Sequence, residues 1–330
     1  MTLPLRNIAG VPVSALGLGC MSLSHAYGTP PPAEVAEQVL RRALACGVTL
    51  FDTAALYGFG ANEVLLGRVL GAERSRIVLA SKGGMAGVDG KRVIDGRPAT
   101  LVQNCEDSLR RLQTDVIDLY YLHRLDPGVA IEDSVGALAR LREQGKIRAI
   151  GLSEVSAATL RRAQAVHPIA AVQTEYSLWT RNPEIALLAA CRDAGTALVA
   201  FSPLGRGVLT ATLRDVDALD ARDIRRGMPR FQPGNHAHNL ALVDAMAAIA
   251  AEAGCTPGQL ALAWLLAQGD DIIPIPGTTR VAHLDENIGA ATLSFDAALL
   301  ARVSSVIGEH SVAGKRYPDA TQAEIDTEQF

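Results

Sequence analysis

The feature that most constrains this chain is an alternation. Eight short apolar runs are each followed by a stretch whose apolar residues recur at helical spacing. The runs are Leu16–Met21, Val48–Phe51, Ile77–Lys82, Val116–His123, Arg148–Leu152, Ala170–Thr174, Ala197–Phe201 and Ile272–Pro276. Short runs without polar alternation suit strands buried on both faces, the pattern of a parallel sheet covered by helices. The helical stretches read as Ala33–Cys46, Asn62–Leu70, Leu101–Leu112, Ile131–Gln144, Ala157–Val166 and Pro183–Ala194, then Leu240–Ala253 and Pro257–Gln268 after the seventh run. Gly47, Gly71 and Gly145 are placed to stop three of them, while Thr100/Gln103 and Thr256/Gln259 have capping-box spacing. Eight such units predict an α/β fold, a (β/α)8 TIM barrel with an N-terminal β-hairpin over residues 5–15 and two accessory helices. Pro274 counts against the eighth strand, because proline removes a ladder donor.

No shift in composition marks a boundary, so residues 1–330 are expected to form a single domain: barrel 16–295, an irregular flap at 205–239, and a C-terminal helix and tail at 296–330. With 48% hydrophobic residues the chain can bury a large core, and a net charge of -4 with pI near 6.0 gives no support for nucleic-acid binding. No apolar stretch approaches the ~18 residues of a membrane span, and the first residues lack signal-peptide character. A soluble cytoplasmic protein with no membrane partner is expected; oligomeric state stays open. The five cysteines never form a Cys-x-x-Cys pair and read as buried small hydrophobes. His236 and His238 have an i, i+2 spacing that separates them on a helix, so no metal is expected.

In a parallel barrel all C-terminal strand ends share one face. Asp52 ends the second run, Lys82 the third and His123 the fourth, and Tyr57 follows Asp52 on a loop. These four should therefore converge. An ammonium about 4 Å from a phenolate, at an effective dielectric of about 20, stabilises it by up to ~4 kcal/mol, about three pK units. On that argument Lys82 brings Tyr57 into a useful range for proton transfer. Asp52 keeps Lys82 charged, and His123 is a further polar group at the same rim.

Taken in order, Leu16-Gly-Leu-Gly19, Phe51-Asp-Thr-Ala-x-x-Tyr57, Ser81-Lys82, Asp118-Leu-Tyr-Tyr-Leu-His123, Ile150-Gly-Leu-Ser153, Val172-Gln173, Phe201-Ser-Pro-Leu-Gly205 and Ile275-Pro-Gly-Thr278 resemble the aldo-keto reductase superfamily over nearly the whole chain. The resemblance implies that Asp52, Tyr57, Lys82 and His123 form a catalytic tetrad, in which a neutral His123 hydrogen-bonds the substrate carbonyl. It also implies a nicotinamide cofactor held without a Rossmann domain, and reduction of a small aldehyde or ketone. The nicotinamide carboxamide is expected at Ser153 and Gln173, with Phe201 stacked on the ring and Ser202 and Leu204 beside it. Glu286 and Asn287 match positions that contact adenine. Glu154 stands where the family commonly has Asn, Gly277 where it often has Lys, and His283 where it often has Arg. The motif Gly151-Leu-Ser-Glu154 and the flap resemble the branch of pyridoxal-type and broad aldehyde or ketone reductases.

The flap carries Arg206, Arg214, Arg222, Arg225, Arg226 and Arg230. Long irregular loops in compact domains are usually functional or disordered, and Arg206 is the best candidate for a pyrophosphate. Gly277, Thr278 and Arg280 enter a helix whose free amides suit a phosphate, and Arg280 supplies charge for a 2'-phosphate, which favours NADP(H) over NAD(H). Tyr27, Phe59, Met85 and Trp179 are candidates for the substrate wall, and the tail is read as contributing no aromatic to it. Three rival readings fit the chain less well. A Rossmann fold on Gly17-x-Gly19-x-x-Ser22 has the wrong third residue and is broken by Pro30–Pro32. A metal-dependent hydrolase would leave Lys82 and Tyr57 without a role. A non-catalytic nicotinamide-binding regulatory subunit is opposed by the intact tetrad.

Overall fold

The structure, a computed structural model, describes residues 3–88 and 90–330. Two antiparallel strands, β1 (Leu5–Ile8) and β2 (Val11–Ser14), open the chain. Their Ile8 and Val13 pack against Leu50, Ala171, Ala197 and Ile273, residues at or near the starts of barrel strands, so the hairpin plugs the N-terminal end. Eight parallel strands follow: β3 (Leu18–Gly19), β4 (Leu50–Asp52), β5 (Val78–Gly83), then, past an outer antiparallel pair β6 (Met85–Val88) and β7 (Lys91–Ile94), β8 (Ile117–Leu122), β9 (Ile147–Ser153), β10 (Ala171–Glu175), β11 (Ala197–Phe201) and β12 (Ile272–Pro274). Each sheet neighbour is the next barrel strand in sequence, from β3 to β12. Gly17 N donates to Pro274 O at 2.9 Å and Gly19 N to Pro276 O at 3.3 Å, and these two bonds close the barrel between β12 and β3.

The seam explains how Pro274 sits in a strand. The N–H and C=O of one strand residue face the same neighbour. The Pro274 carbonyl faces β3, so its ring nitrogen does too, at the seam where the ladder is shortest, while Ile275 N still reaches Ala200 O on the β11 side. Backbones are also closest there: a Cβ on Gly277 would lie 2.9 Å from the Gly19 carbonyl oxygen. A side chain at 277 would push the strands apart, which accounts for glycine where the family often carries lysine.

Around the strands run α1 (Ala33–Ala45), α2 (Ala61–Leu70), α3 (Pro98–Leu112), α4 (Ile131–Glu143), α5 (Ala157–Gln164), α6 (Leu187–Ala194), α7 (Pro233–Glu252), α8 (Pro257–Leu266), α9 (Val281–Gly289), α10 (Ala297–Val306) and α11 (Asp319–Gln322). The accessory pair is α7 and α10, which pack on each other. Thr256 and Gln259 form the expected capping box. Thr100 and Gln103 do not. Pro98 is pre-organised for the first helical turn, so α3 starts three residues early, and the Thr100 hydroxyl donates to Asp95. The flap is less irregular than its sequence suggests, with short 3-10 turns at Gly205–Thr210, Ile224–Gly227 and Pro229–Phe231 and α7 beginning at Pro233. The helix expected over Pro183–Ala194 is split into a turn at Asn182–Glu184 and α6. All five cysteines are free. Among the described residues, no single helix is long and apolar enough to cross a membrane, and no group of His, Cys, Asp or Glu is placed to hold a metal.

Candidate active site

Parallel strands bring their C-terminal residues to one rim, and there the four residues read from sequence meet. Asp52 ends β4, Lys82 is the penultimate residue of β5, and His123 follows β8 with its backbone N–H bound to Gly83 O at 2.9 Å. Tyr57 enters from the loop after β4. That loop is fixed by buried Asn62, which accepts from the Thr53 hydroxyl at 2.6 Å and donates to Cys20 O and Ser24 Oγ, each at 2.9 Å. The sequence reading gave Asn62 no role beyond starting a helix.

Lys82 is completely buried and its ammonium is saturated. It donates to Asp52 Oδ1 at 2.5 Å, to Thr53 O at 2.8 Å and to the Tyr57 hydroxyl oxygen at 3.3 Å, which accounts for its three hydrogens. Because Tyr57 accepts from Lys82, its own hydrogen is free to point into the cavity. The Tyr57 ring meets His123 edge-on at 5.9 Å between centroids. Among the described residues neither His123 ring nitrogen has a hydrogen-bond partner, and Nδ1 is buried.

The electrostatics correct one expectation. Burial raises Tyr57 above its ordinary value, and Lys82 only partly offsets it. The phenolate loses more solvation in this site than the ammonium returns, so Tyr57 stays protonated rather than being drawn toward neutrality. Burial works against the Lys82 ammonium, but Asp52 and Tyr57 outweigh it and Lys82 is raised. His123 is driven well below its usual range, first by burial and then by Arg124 and Lys82, and is neutral.

A cavity of about 720 Å³ runs from this group across the barrel mouth. It is lined by Ser153, Gln173, Phe201, Ser202, Leu204 and Arg206, and beyond them by Gly277, Thr278, Arg280, His283, Glu286 and Asn287. Gln173 Nε2 is taken by Asp52 Oδ2 at 2.7 Å, which leaves its carbonyl oxygen for an occupant. Glu286 accepts from the Thr256 hydroxyl at 2.6 Å, and Arg280 stands at the N-cap of α9. Tyr27 and Met85 line the cavity as expected, but Phe59 and Trp179 do not. Phe59 is 57% exposed on the outside of its turn, and Trp179 is packed beneath Gly205.

Glu154, the departure from the family pattern, points away from the cavity. It holds φ +55°, an uncommon conformation for a non-glycine residue, and receives Arg316 Nη2 at 2.8 Å, Thr174 Oγ1 at 2.8 Å and Glu175 N at 3.0 Å. Arg316 also reaches Glu175 Oε2 at 3.2 Å, as does Arg206 at 3.3 Å, and Arg230 lies 4.0 Å from Oε1. Burial alone would raise the Glu175 carboxyl, but Arg316, Arg206 and Arg230 hold it down at about 2. Arg206 further donates to the Tyr317 hydroxyl at 3.1 Å, and Tyr317 lines the cavity. The tail thus supplies both an ion-pair partner and an aromatic wall. This corrects the reading of a tail without aromatics; of the other flap arginines, Arg225 and Arg230 are 15% and 11% exposed.

The sequence model of the Aldo/keto reductase family matches residues 15–307, and the chain belongs to that family. Among solved structures it is similar to the glycerol dehydrogenase AKR11B4 from Gluconobacter oxydans, with TM-score 0.86 and 29% identity over 94% of this chain and 97% of that one. The aldo-keto reductase AKR11C1 from Bacillus halodurans gives 0.80 and 26% over 95% and 99%. An aldo/keto reductase from Klebsiella pneumoniae, solved in complex with NADP and acetate, gives 0.73 and 25% over 96% and 99%.

Proposed function

We propose that this protein reversibly reduces an aldehyde or ketone to the alcohol with NADP(H). The observation that carries this is the saturated Lys82 ammonium, which leaves the Tyr57 hydroxyl hydrogen free to point into the cavity beside a neutral His123. Family membership and the NADP complex of the Klebsiella relative support the same reading. The cavity also suits a polar occupant, since Ser22 Oγ, His123 Nδ1 and Arg124 Nε belong to lining residues and are buried without partners. Bound NADPH would supply the hydride. Ser153 and the Gln173 carbonyl oxygen would hold its carboxamide and Phe201 its ring, with Ser202 and Leu204 alongside. Arg206 would face the pyrophosphate, Gly277, Thr278, Arg280 and His283 the 2'-phosphate, and Glu286 and Asn287 the adenine.

In the reduction, His123 orients the carbonyl, and Tyr57 gives its proton to the carbonyl oxygen as the alkoxide forms. The phenolate left behind is stabilised by Lys82, whose position is fixed by Asp52 and Thr53. The test is NADPH and NADH oxidation with a panel of aldehydes and ketones. Turnover with NADPH is expected. Tight NADPH binding with no carbonyl reduced would favour a regulatory subunit, and no binding of either cofactor would overturn the proposal.

Two further results are expected. Tyr57 is raised, so its acid form persists past about pH 10, and His123 is lowered, so its neutral form persists below about pH 6.5. Both limbs move outward, and kcat/KM for reduction should be flat from about pH 6 to 9. A fall centred near the ordinary histidine value would show His123 titrating and contradict the geometry. Arg280→Ala should raise the KM for NADPH by about tenfold, the usual size of a charge-assisted hydrogen bond, while changing that for NADH about twofold or less. Equal changes for both cofactors would remove Arg280 from the 2'-phosphate site.

A further inference from the structure

The cavity lining holds five arginines, Arg92, Arg124, Arg206, Arg225 and Arg280, against two carboxylates, Asp52 and Glu286. Both carboxylates are engaged, Asp52 by Lys82 and Gln173 and Glu286 by Thr256. Three of the arginines have an opposite charge beside them: Arg92 has Glu324, Arg206 has Glu175 and Arg225 has Asp223. Arg280 stands at α9, where the cofactor phosphate is placed. Arg124 is left over, and it lies at the tetrad.

Strand alternation alone would send residues 123 and 124 to opposite faces. The chain bends after β8, and both side chains line the cavity. Arg124 Nη1 donates to the His123 carbonyl oxygen at 2.7 Å and to Ser153 Oγ at 3.3 Å, which anchors the guanidinium at one corner. Its Nε is buried without a partner, and no carboxylate among the described residues pairs with it. A guanidinium carries five donors, so most of this one is uncommitted. Its charge is felt at the site, since after burial it is the largest influence holding His123 neutral. A half-buried cation anchored beside the carbonyl-orienting residue, with no counter-charge, is a binding group awaiting an anion.

We infer that the carbonyl substrate carries an anionic group, a carboxylate or a phosphate ester, that pairs with Arg124 while its carbonyl is held between Tyr57 and His123. This rests on the reductase function proposed above and narrows its substrate class. The two anions share the same bidentate chemistry with a guanidinium, and the experiment separates them.

With NADPH and the full chain, kcat/KM is measured for succinic semialdehyde against its uncharged counterpart 4-oxobutanamide, and for glyceraldehyde 3-phosphate against glyceraldehyde. In at least one pair the anion should be favoured by about ten- to a hundredfold, the range of a charge-assisted hydrogen bond, and that pair names the anion. In Arg124→Gln the ratio should fall to near one, and Arg124→Lys should retain part of it. Because the readout is a ratio within one variant, partial loss of folded protein does not affect it. A ratio near one in both pairs for the native chain, or a ratio that survives Arg124→Gln, overturns the inference. If no carbonyl is reduced at all, the reductase reading fails. Calorimetry of succinate against succinamide, and of glycerol 3-phosphate against glycerol, on the NADPH-loaded protein then decides the anion site separately: Arg124-dependent binding of either anion upholds it, and the absence of both sinks it.

Discussion

Tyr57→Phe is expected to lower kcat for carbonyl reduction by about 10²- to 10⁴-fold, the range that a positioned proton donor contributes. The substitution removes one oxygen and little else. The ring keeps its edge-on packing with His123, and Lys82 keeps Asp52 and Thr53 as acceptors, so the buried charge stays paired. Replacing Lys82 would be a worse probe, because it would leave Asp52 buried without its counter-ion, at a cost of about 3–5 kcal/mol in stability. With Tyr57 as the proposed acid in a site where its phenol is raised, the loss should appear in kcat at every pH below about 9 and leave NADPH affinity close to native. Retention of more than about a tenth of kcat would mean that another group delivers the proton. The pocket offers few alternatives: His123 is neutral and Lys82 has its three hydrogens committed.

The barrel and the meeting of Asp52, Tyr57, Lys82 and His123 at one rim were legible because both are written in local patterns. An apolar run ending in Asp52, Lys82 or His123 places a polar group at a strand's C-terminal end, and the parallel topology then brings those ends together. What stayed hidden depends on pairings between irregular segments. Arg316 and Tyr317 lie in a tail without periodicity, yet they reach Glu154, Glu175 and Arg206 from far along the chain. Arg124 was concealed by the strand period, which assigns it to the face opposite His123 until the bend after β8 is seen. Thr100 has capping-box spacing, but Pro98 starts the helix first. The balance at Tyr57 could not be read either, because it turns on burial: a lysine at contact distance argues for a lowered phenol, and full desolvation reverses the sign.

The buried cluster behind the flap yields the second large effect. Glu154 and Glu175 are both buried, and Arg316, 4% exposed at its side chain, is the residue that touches both. Arg316→Met keeps the volume and removes the charge, leaving Glu154 with only the Thr174 hydroxyl and the Glu175 amide. Leaving one member of a buried pair alone costs about 3–5 kcal/mol, so urea unfolding should show a loss of that size. The double variant Arg316→Met/Glu154→Gln removes the stranded charge as well and should recover more than half of it. No recovery would mean that the lost packing of the arginine, rather than an unpaired carboxylate, set the cost. The acid limb gives an independent check. Glu175 is held at about 2 in the fold against 4.5 ordinarily, so between those values the unfolded chain binds the extra proton. Its contribution is complete above about pH 4.5 and is lost as pH falls toward 2, and Glu175→Gln should flatten that stretch of the stability profile. Arg206 leans on Glu175 and on Tyr317 of the same tail, so a chain weakened at Arg316 should also bind NADPH less tightly. A stability loss with unchanged cofactor affinity would separate the tail's structural role from the cavity.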